Sequence, residues 1–151
     1  KRDRFKVLFD TDKSLALLDG VLELIKDYHS NGMTLIVASS ASMDNINRIF
    51  ERFDLDQYFR AKISGADLEA SKPHPEIFMK AAELSKHKPE DCFVIEDSTN
   101  GITAAKAANL FCIAFKSPHS EGQDYSNADV IINDFSEIHY NKLSTLLSAA
   151  N

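Results

Sequence analysis

Three short segments of this chain carry residues able to hold phosphate or metal, and two of them end an apolar run. In Val37-Ala38-Ser39-Ser40, a hydroxyl at the end of a buried strand, followed by backbone N–H groups, suits a phosphate oxygen. Taken alone, the same pair also reads as the start of a turn and the cap of the next helix. In Ser71-Lys72-Pro73-His74-Pro75, two prolines stiffen the backbone after Lys72. An ammonium held by a stiff loop is what a transferring phosphoryl group and an anionic nucleophile need, although a solvated loop lysine would look alike. His74, between the prolines, reads as a loop residue, since no partner for it is visible in the sequence. The most specific segment is Val94-Ile95-Glu96-Asp97-Ser98-Thr99-Asn100-Gly101. Adjacent carboxylates at a strand end repel each other, and a hard divalent cation with oxygen ligands removes that cost. The plainer alternative has Asp97 capping a helix while Glu96 faces solvent.

These segments need a scaffold that brings them together. Helical and strand patterns alternate with short loops, which predicts an α/β fold with a parallel sheet. Residues 20–30 place Val21, Leu22, Leu24, Ile25 and Tyr28 at helical spacing, and Asn31-Gly32 stops the run. Residues 33–38 form a nearly continuous apolar stretch, as in a strand buried on both faces. Ser42 and Asp44 are candidate caps for a helix whose apolar positions are Met43, Ile46, Ile49, Phe50 and Phe53. Residues 61–64 make a short strand, and Pro75 suits the first turn of a helix running to about Leu84. The rhythm then repeats: a strand at 92–95, an alanine-rich helix through Ala108, strands at 111–115 and 130–132, and a closing helix at 142–149. Asn109 stands where a helix end wants a residue tolerant of left-handed geometry. In an open sheet of this kind, ligands bind beyond the carboxyl ends of the strands, so the three polar segments converge.

Composition narrows the partners. At 151 residues the chain is about one domain long, and 44% hydrophobic with 26% charged residues is ordinary for a globular protein. A net charge of −6 argues against a nucleic-acid backbone as partner, while a small phosphate needs only a few N–H groups and one lysine. Cys92 and Cys112 each sit inside apolar runs and read as buried small hydrophobes, not as a disulfide or metal pair. No stretch approaches the roughly 20 apolar residues of a membrane span. The chain opens without the apolar core of a signal peptide, so a cytoplasmic protein is the default expectation.

Together, VASS, ASKPHPEIF and VIEDSTNGI resemble, in order and spacing, the second, third and fourth motifs of the haloacid dehalogenase superfamily. More narrowly they resemble its beta-phosphoglucomutase-like branch of phosphatases and mutases, over residues 18–134. The resemblance implies a Rossmann-like parallel sheet with helices on both faces. It would make Ser39, with Ser40 beside it, the phosphate-binding hydroxyls and Lys72 the cation contacting nucleophile and phosphoryl group. Asp97 would be a direct Mg²⁺ ligand, with Glu96 a second or water-mediated one. The substrate would be a small phosphorylated metabolite such as a sugar phosphate.

The family's first motif is an Asp-x-Asp-Gly turn after a central strand, whose first Asp attacks phosphorus and whose second exchanges protons. One segment offers this spacing: Lys6-Val7-Leu8-Phe9-Asp10-Thr11-Asp12-Lys13, with Asp10 as nucleophile and Asp12 as acid/base. Lys13 replaces the glycine, and too few residues remain before Leu18-Asp19-Gly20 for a helical cap. The favoured expectation is therefore that residues 1–17 are the end of a helical cap and its linker. Residues 18–151 would then be a core domain lacking its first strand, with the nucleophile in the remainder of the same polypeptide. Against this stands the cost of two bare apolar strand edges, which residues 7–9 would cover if they filled the slot. A non-catalytic domain that keeps the fold and binds a ligand is the competing class.

Overall fold

The computed structural model describes residues 6–9, 19–117 and 121–149. Six strands form one parallel sheet: β1 (Lys6–Phe9), β2 (Thr34–Ser39), β3 (Ala61–Ser64), β4 (Cys92–Glu96), β5 (Phe111–Phe115) and β6 (Val130–Ile132). Their order across the sheet is β3-β2-β1-β4-β5-β6. Helices α1 (Val21–Ser30), α2 (Met43–Arg52), α3 (Glu76–Ser85), α4 (Thr99–Ala107) and α5 (Tyr140–Ala149) cover its two faces. The α/β, Rossmann-like architecture expected from the sequence is the one observed.

Each element follows from local chemistry. Strands β2 and β4 are buried along nearly their whole length, which requires apolar residues on both faces. Leu35, Val37, Phe93 and Ile95 point to one core, shared with α1, α2 and α5; Ile36, Ala38, Cys92 and Val94 point to the other, under α3 and α4. The Ser42 hydroxyl accepts from the N–H of Asn45 and starts α2. Asn109, at φ 62°, takes the left-handed turn after α4, as its residue type suggested. Cys92 and Cys112 are buried thiols outside any disulfide, and burial pushes the Cys112 thiol far above its ordinary range. Among the described residues no helix is long and apolar enough to cross a membrane.

One expectation is corrected. Residues 6–9 are not part of a cap helix and linker: they form β1, so the core does not lack a strand between β2 and β4. Phe9 lies opposite Val37 on one side and Ile95 on the other. The reason is the one that weighed against a gap. Facing edges of β2 and β4 present rows of N–H and C=O groups, and a parallel strand satisfies both rows at once. Asp10 and Asp12, with the rest of residues 10–18, lie outside the described residues.

Candidate functional site

The strand order reverses between β1 and β4, since β2 and β3 lie to one side and β5 and β6 to the other. That switch point is where open α/β sheets bind ligands. The carboxyl ends of β2 and β4 deliver Ser39 and Glu96 to its two sides, and β1 ends between them.

Lys72 reaches this point from the loop before α3. Its side chain is 5% exposed, and its ammonium donates to Glu96 Oε2 at 3.0 Å and to the Ala38 carbonyl at 3.4 Å. It also stands 5.0 Å from the centre of the Phe78 ring. The loop that carries it is fixed by short-range bonds. The His74 N–H donates to the Ser71 carbonyl, and the Glu76 N–H donates to His74 Nδ1. The Ala70 N–H donates to the Glu76 carboxylate, and the Lys72–Pro73 peptide is cis. His74, in the loop before α3, is thereby tied to the first turn of that helix.

Glu96 is wholly enclosed. While Oε2 faces Lys72, Oε1 accepts from the N–H of Asp97 (3.1 Å), the N–H of Ser98 (3.3 Å) and the Ser98 hydroxyl (3.2 Å). Protein donors therefore surround this carboxylate, and it fits the part of fixed counter-ion to Lys72 better than that of direct metal ligand. Asp97, 4% exposed, follows at the mouth of β4. Its hard oxygen donors suit Mg²⁺, which takes one or two carboxylates together with water and phosphate oxygens. Among the described residues no three His, Cys, Asp or Glu side chains converge as a metal cage.

The two serines divide their roles. Ser39 is fully buried, and its Oγ accepts from the Ala41 N–H at 3.1 Å, closing the turn after β2; its hydroxyl hydrogen is the one left to donate. Ser64, opposite Ser39 on β3, donates to the Ala41 carbonyl and pins the same turn. Ser40 is exposed and lines a cleft of about 440 Å³ together with Lys72, Ser98, Thr99, Asn100, Gly122 and Gln123. Two of these, Gly122 and Gln123, were not singled out in the sequence. Gln123 Oε1 accepts from the Thr99 N–H, and the Asp124 N–H donates to Thr99 Oγ1, both at 2.7 Å, so the β5–β6 connection clasps the start of α4. No spacing signal announces that contact between residues 24 apart. A second cleft, of about 460 Å³, opens at the amino-terminal ends of β4 and β5. Its lysine, Lys106, is already paired with Asp129 at 2.6 Å, and it is remote from the switch point.

The chain is similar to known proteins in sequence and in fold. The chain is 34% identical over 139 residues to a bifunctional riboflavin kinase/FMN phosphatase of Arabidopsis thaliana, covering 91% of this chain and 36% of that protein. It is 30% identical over 128 residues to hexitol phosphatase B of Escherichia coli K12, covering 84% and 58%. Among solved structures, CbbY from Rhodobacter sphaeroides in complex with phosphate superposes with a TM-score of 0.74 at 28% identity, over 80% of this chain and 55% of CbbY. The chain spans between about a third and three fifths of the length of these relatives. The haloacid dehalogenase-like hydrolase profile matches residues 3–115, three quarters of the sequence, and the chain belongs to that family.

Proposed function

We propose that this protein transfers a phosphoryl group from a small sugar phosphate through an aspartyl-phosphate, with Mg²⁺ as cofactor. Water accepts the group in a phosphatase, and a second sugar hydroxyl accepts it in a mutase. The observation that carries the reading is the convergence of Lys72, Glu96, Asp97 and the two serines on the switch point of the sheet. Relatives named as FMN and hexitol phosphatases support a phosphorylated small molecule. So does the structure of a CbbY mutant in complex with xylulose-(1,5)-bisphosphate.

In this mechanism a carboxylate at the end of the central strand attacks phosphorus, and the bond from phosphorus to the sugar oxygen breaks. The departing oxygen takes a proton from the acid two residues further along. Water then attacks the aspartyl-phosphate, returns a proton to that acid and releases phosphate. Lys72, held in place by Glu96, offsets the negative charge shared by nucleophile and phosphoryl oxygens. Ser39 and Ser40 donate to those oxygens. Asp97, with a carboxylate of the nucleophile segment, would hold Mg²⁺, which when bound screens the anions from one another.

Asp10 is the nucleophile candidate within this chain, with Asp12 as acid/base, because Asp10 follows the last residue of the central strand in sequence. A second assignment is favoured by Lys13 in the glycine position and by the longer relatives. In it, an Asp-x-Asp-Gly strand from the remainder of the polypeptide would supply the nucleophile by taking the central position from residues 6–9.

The test is hydrolysis of an aryl phosphate and a panel of sugar phosphates with and without Mg²⁺. Turnover that needs Mg²⁺, and falls by about a hundredfold or more in Lys72→Ala and in Asp97→Asn, is the expected result. Turnover indifferent to both changes refutes the proposal. Loss of turnover in Asp10→Asn assigns the nucleophile to Asp10, and retention assigns it to the other strand. Phosphate binding without turnover in the complete protein marks a non-catalytic member of the family instead.

A further inference from the structure

Gly101 lies in the first turn of α4, where the backbone is helical and would accept any residue other than proline. Alanine is the better helix former there, so the glycine is not explained by the helix itself. The explanation lies beside it. A Cβ on Gly101 would stand 1.9 Å from Glu96 Cδ, 2.1 Å from Oε1 and 2.2 Å from Oε2. The space left by the missing methyl group is the seat of the Glu96 carboxylate.

We infer that Gly101 is a positioning residue for Lys72, acting through Glu96: its lack of a side chain lets the carboxylate sit at the start of α4 and hold the ammonium at the phosphate site. To regain ordinary contact with a methyl group, the carboxylate would have to retreat by about 1.5 Å. It is not at liberty to do so. Oε2 holds Lys72, and Oε1 holds the N–H groups of Asp97 and Ser98 and the Ser98 hydroxyl. The Ser98 hydroxyl ties the two partners together, accepting from the Gly101 N–H at 3.0 Å while donating to Glu96. Any shift that relieves the contact therefore breaks bonds on both oxygens and loosens the cation. The inference rests on the phosphotransfer reading for its purpose, though not for its geometry.

The test is a double-mutant cycle of Gly101→Ala, Glu96→Ala and the pair together. It is read by calorimetric affinity for inorganic phosphate and by urea midpoints. Gly101→Ala is expected to weaken phosphate binding about tenfold, and Glu96→Ala by a similar factor. The double variant should bind within about twofold of Glu96→Ala alone, because no carboxylate remains for the methyl group to displace. Its urea midpoint should equal or exceed that of Glu96→Ala, since alanine favours the helix. Losses that multiply, or phosphate affinity in Gly101→Ala equal to wild type, overturn the inference. If Gly101→Ala fails to fold, the double variant must still fold as well as Glu96→Ala, and its failure to do so overturns the inference equally. If wild type does not bind phosphate, the phosphotransfer reading falls. The urea midpoints and the Lys72–Glu96 distance in crystals of Gly101→Ala then decide on Gly101 alone.

Discussion

Replacing Lys72 with methionine keeps the length of the side chain and removes its charge. At 3.0 Å and an effective dielectric constant of about 20, the attraction between Lys72 and Glu96 is roughly 5 kcal/mol. The carboxylate, with none of its side chain exposed, would then stay buried without its ammonium, a change that typically costs about 3–5 kcal/mol. Three protein donors remain on Oε1 and soften the loss, which places the expected value near the lower end, about 3 kcal/mol. With a urea slope of about 2 kcal/mol/M, the midpoint of unfolding should fall by about 1.5 M. The pair Lys72→Met/Glu96→Gln should regain most of that drop, since neutralising both partners leaves neither with an enclosed, unpaired charge. The reasoning is refuted if Lys72→Met moves the midpoint by less than about 0.5 M, or if the double variant is as unstable as the single one.

Further expectations concern other parts of the molecule. Tyr28 is buried, and its hydroxyl donates to the Ile138 carbonyl at 2.5 Å; Tyr28→Phe strands that carbonyl and should cost about 1–3 kcal/mol in urea unfolding. Asn109→Ala should lower stability by about 1 kcal/mol, because φ at this position is 62°, whereas Asn109→Gly should match wild type or exceed it. The exposed Asp134 caps the turn at Phe135–Ile138, and the N–H and hydroxyl of Ser136 hold its carboxyl below the ordinary 3.8. A depressed folded value means stabilisation at pH above 3.8 that is lost as pH falls through and below it. Asp134→Asn should therefore melt below wild type at neutral pH, and the two melting temperatures should draw together under acid, as followed by circular dichroism.

Much of the scaffold could be read from pattern. The apolar runs at β2, β4 and β5, the Ser42 cap and the left-handed turn at Asn109 are decided by residues near each other in the chain. Lys72 stands out because two prolines follow it, and Asp97 because it follows a buried strand. Other features depend on distant partners. A short run such as residues 6–9 has no decisive periodicity, and its charged surroundings resemble the end of a cap helix. Its place is set by the two edges that β2 and β4 present. The spacing puts Glu96 beside Asp97, but it does not show that Glu96 pairs with Lys72, in a loop 24 residues upstream. The meaning of Gly101 appears only when atoms are placed, since nothing in the spacing distinguishes it from any early helical glycine.

The two faces of the sheet have different textures. Phe50, Phe93, Phe115, Phe135 and Tyr28 fill the side under α1, α2 and α5, whereas Ala38, Ala81, Ala82, Ala104, Ala105 and Ala114 line much of the side under α3 and α4. Large side chains tolerate little shrinkage, because truncation opens cavities. Alanines in a packed layer tolerate little growth, because added methylenes push apart what they separate. Over evolutionary time the two faces should therefore drift under opposite bounds. The helices that follow the Lys72 loop and the Glu96 turn sit on the face that cannot thicken. A single bulky replacement at Ala81 or Ala105 would disturb the packing of one of them on this face. Lineages that keep the chemistry should hold these positions small, while the aromatic face is free to exchange one large residue for another.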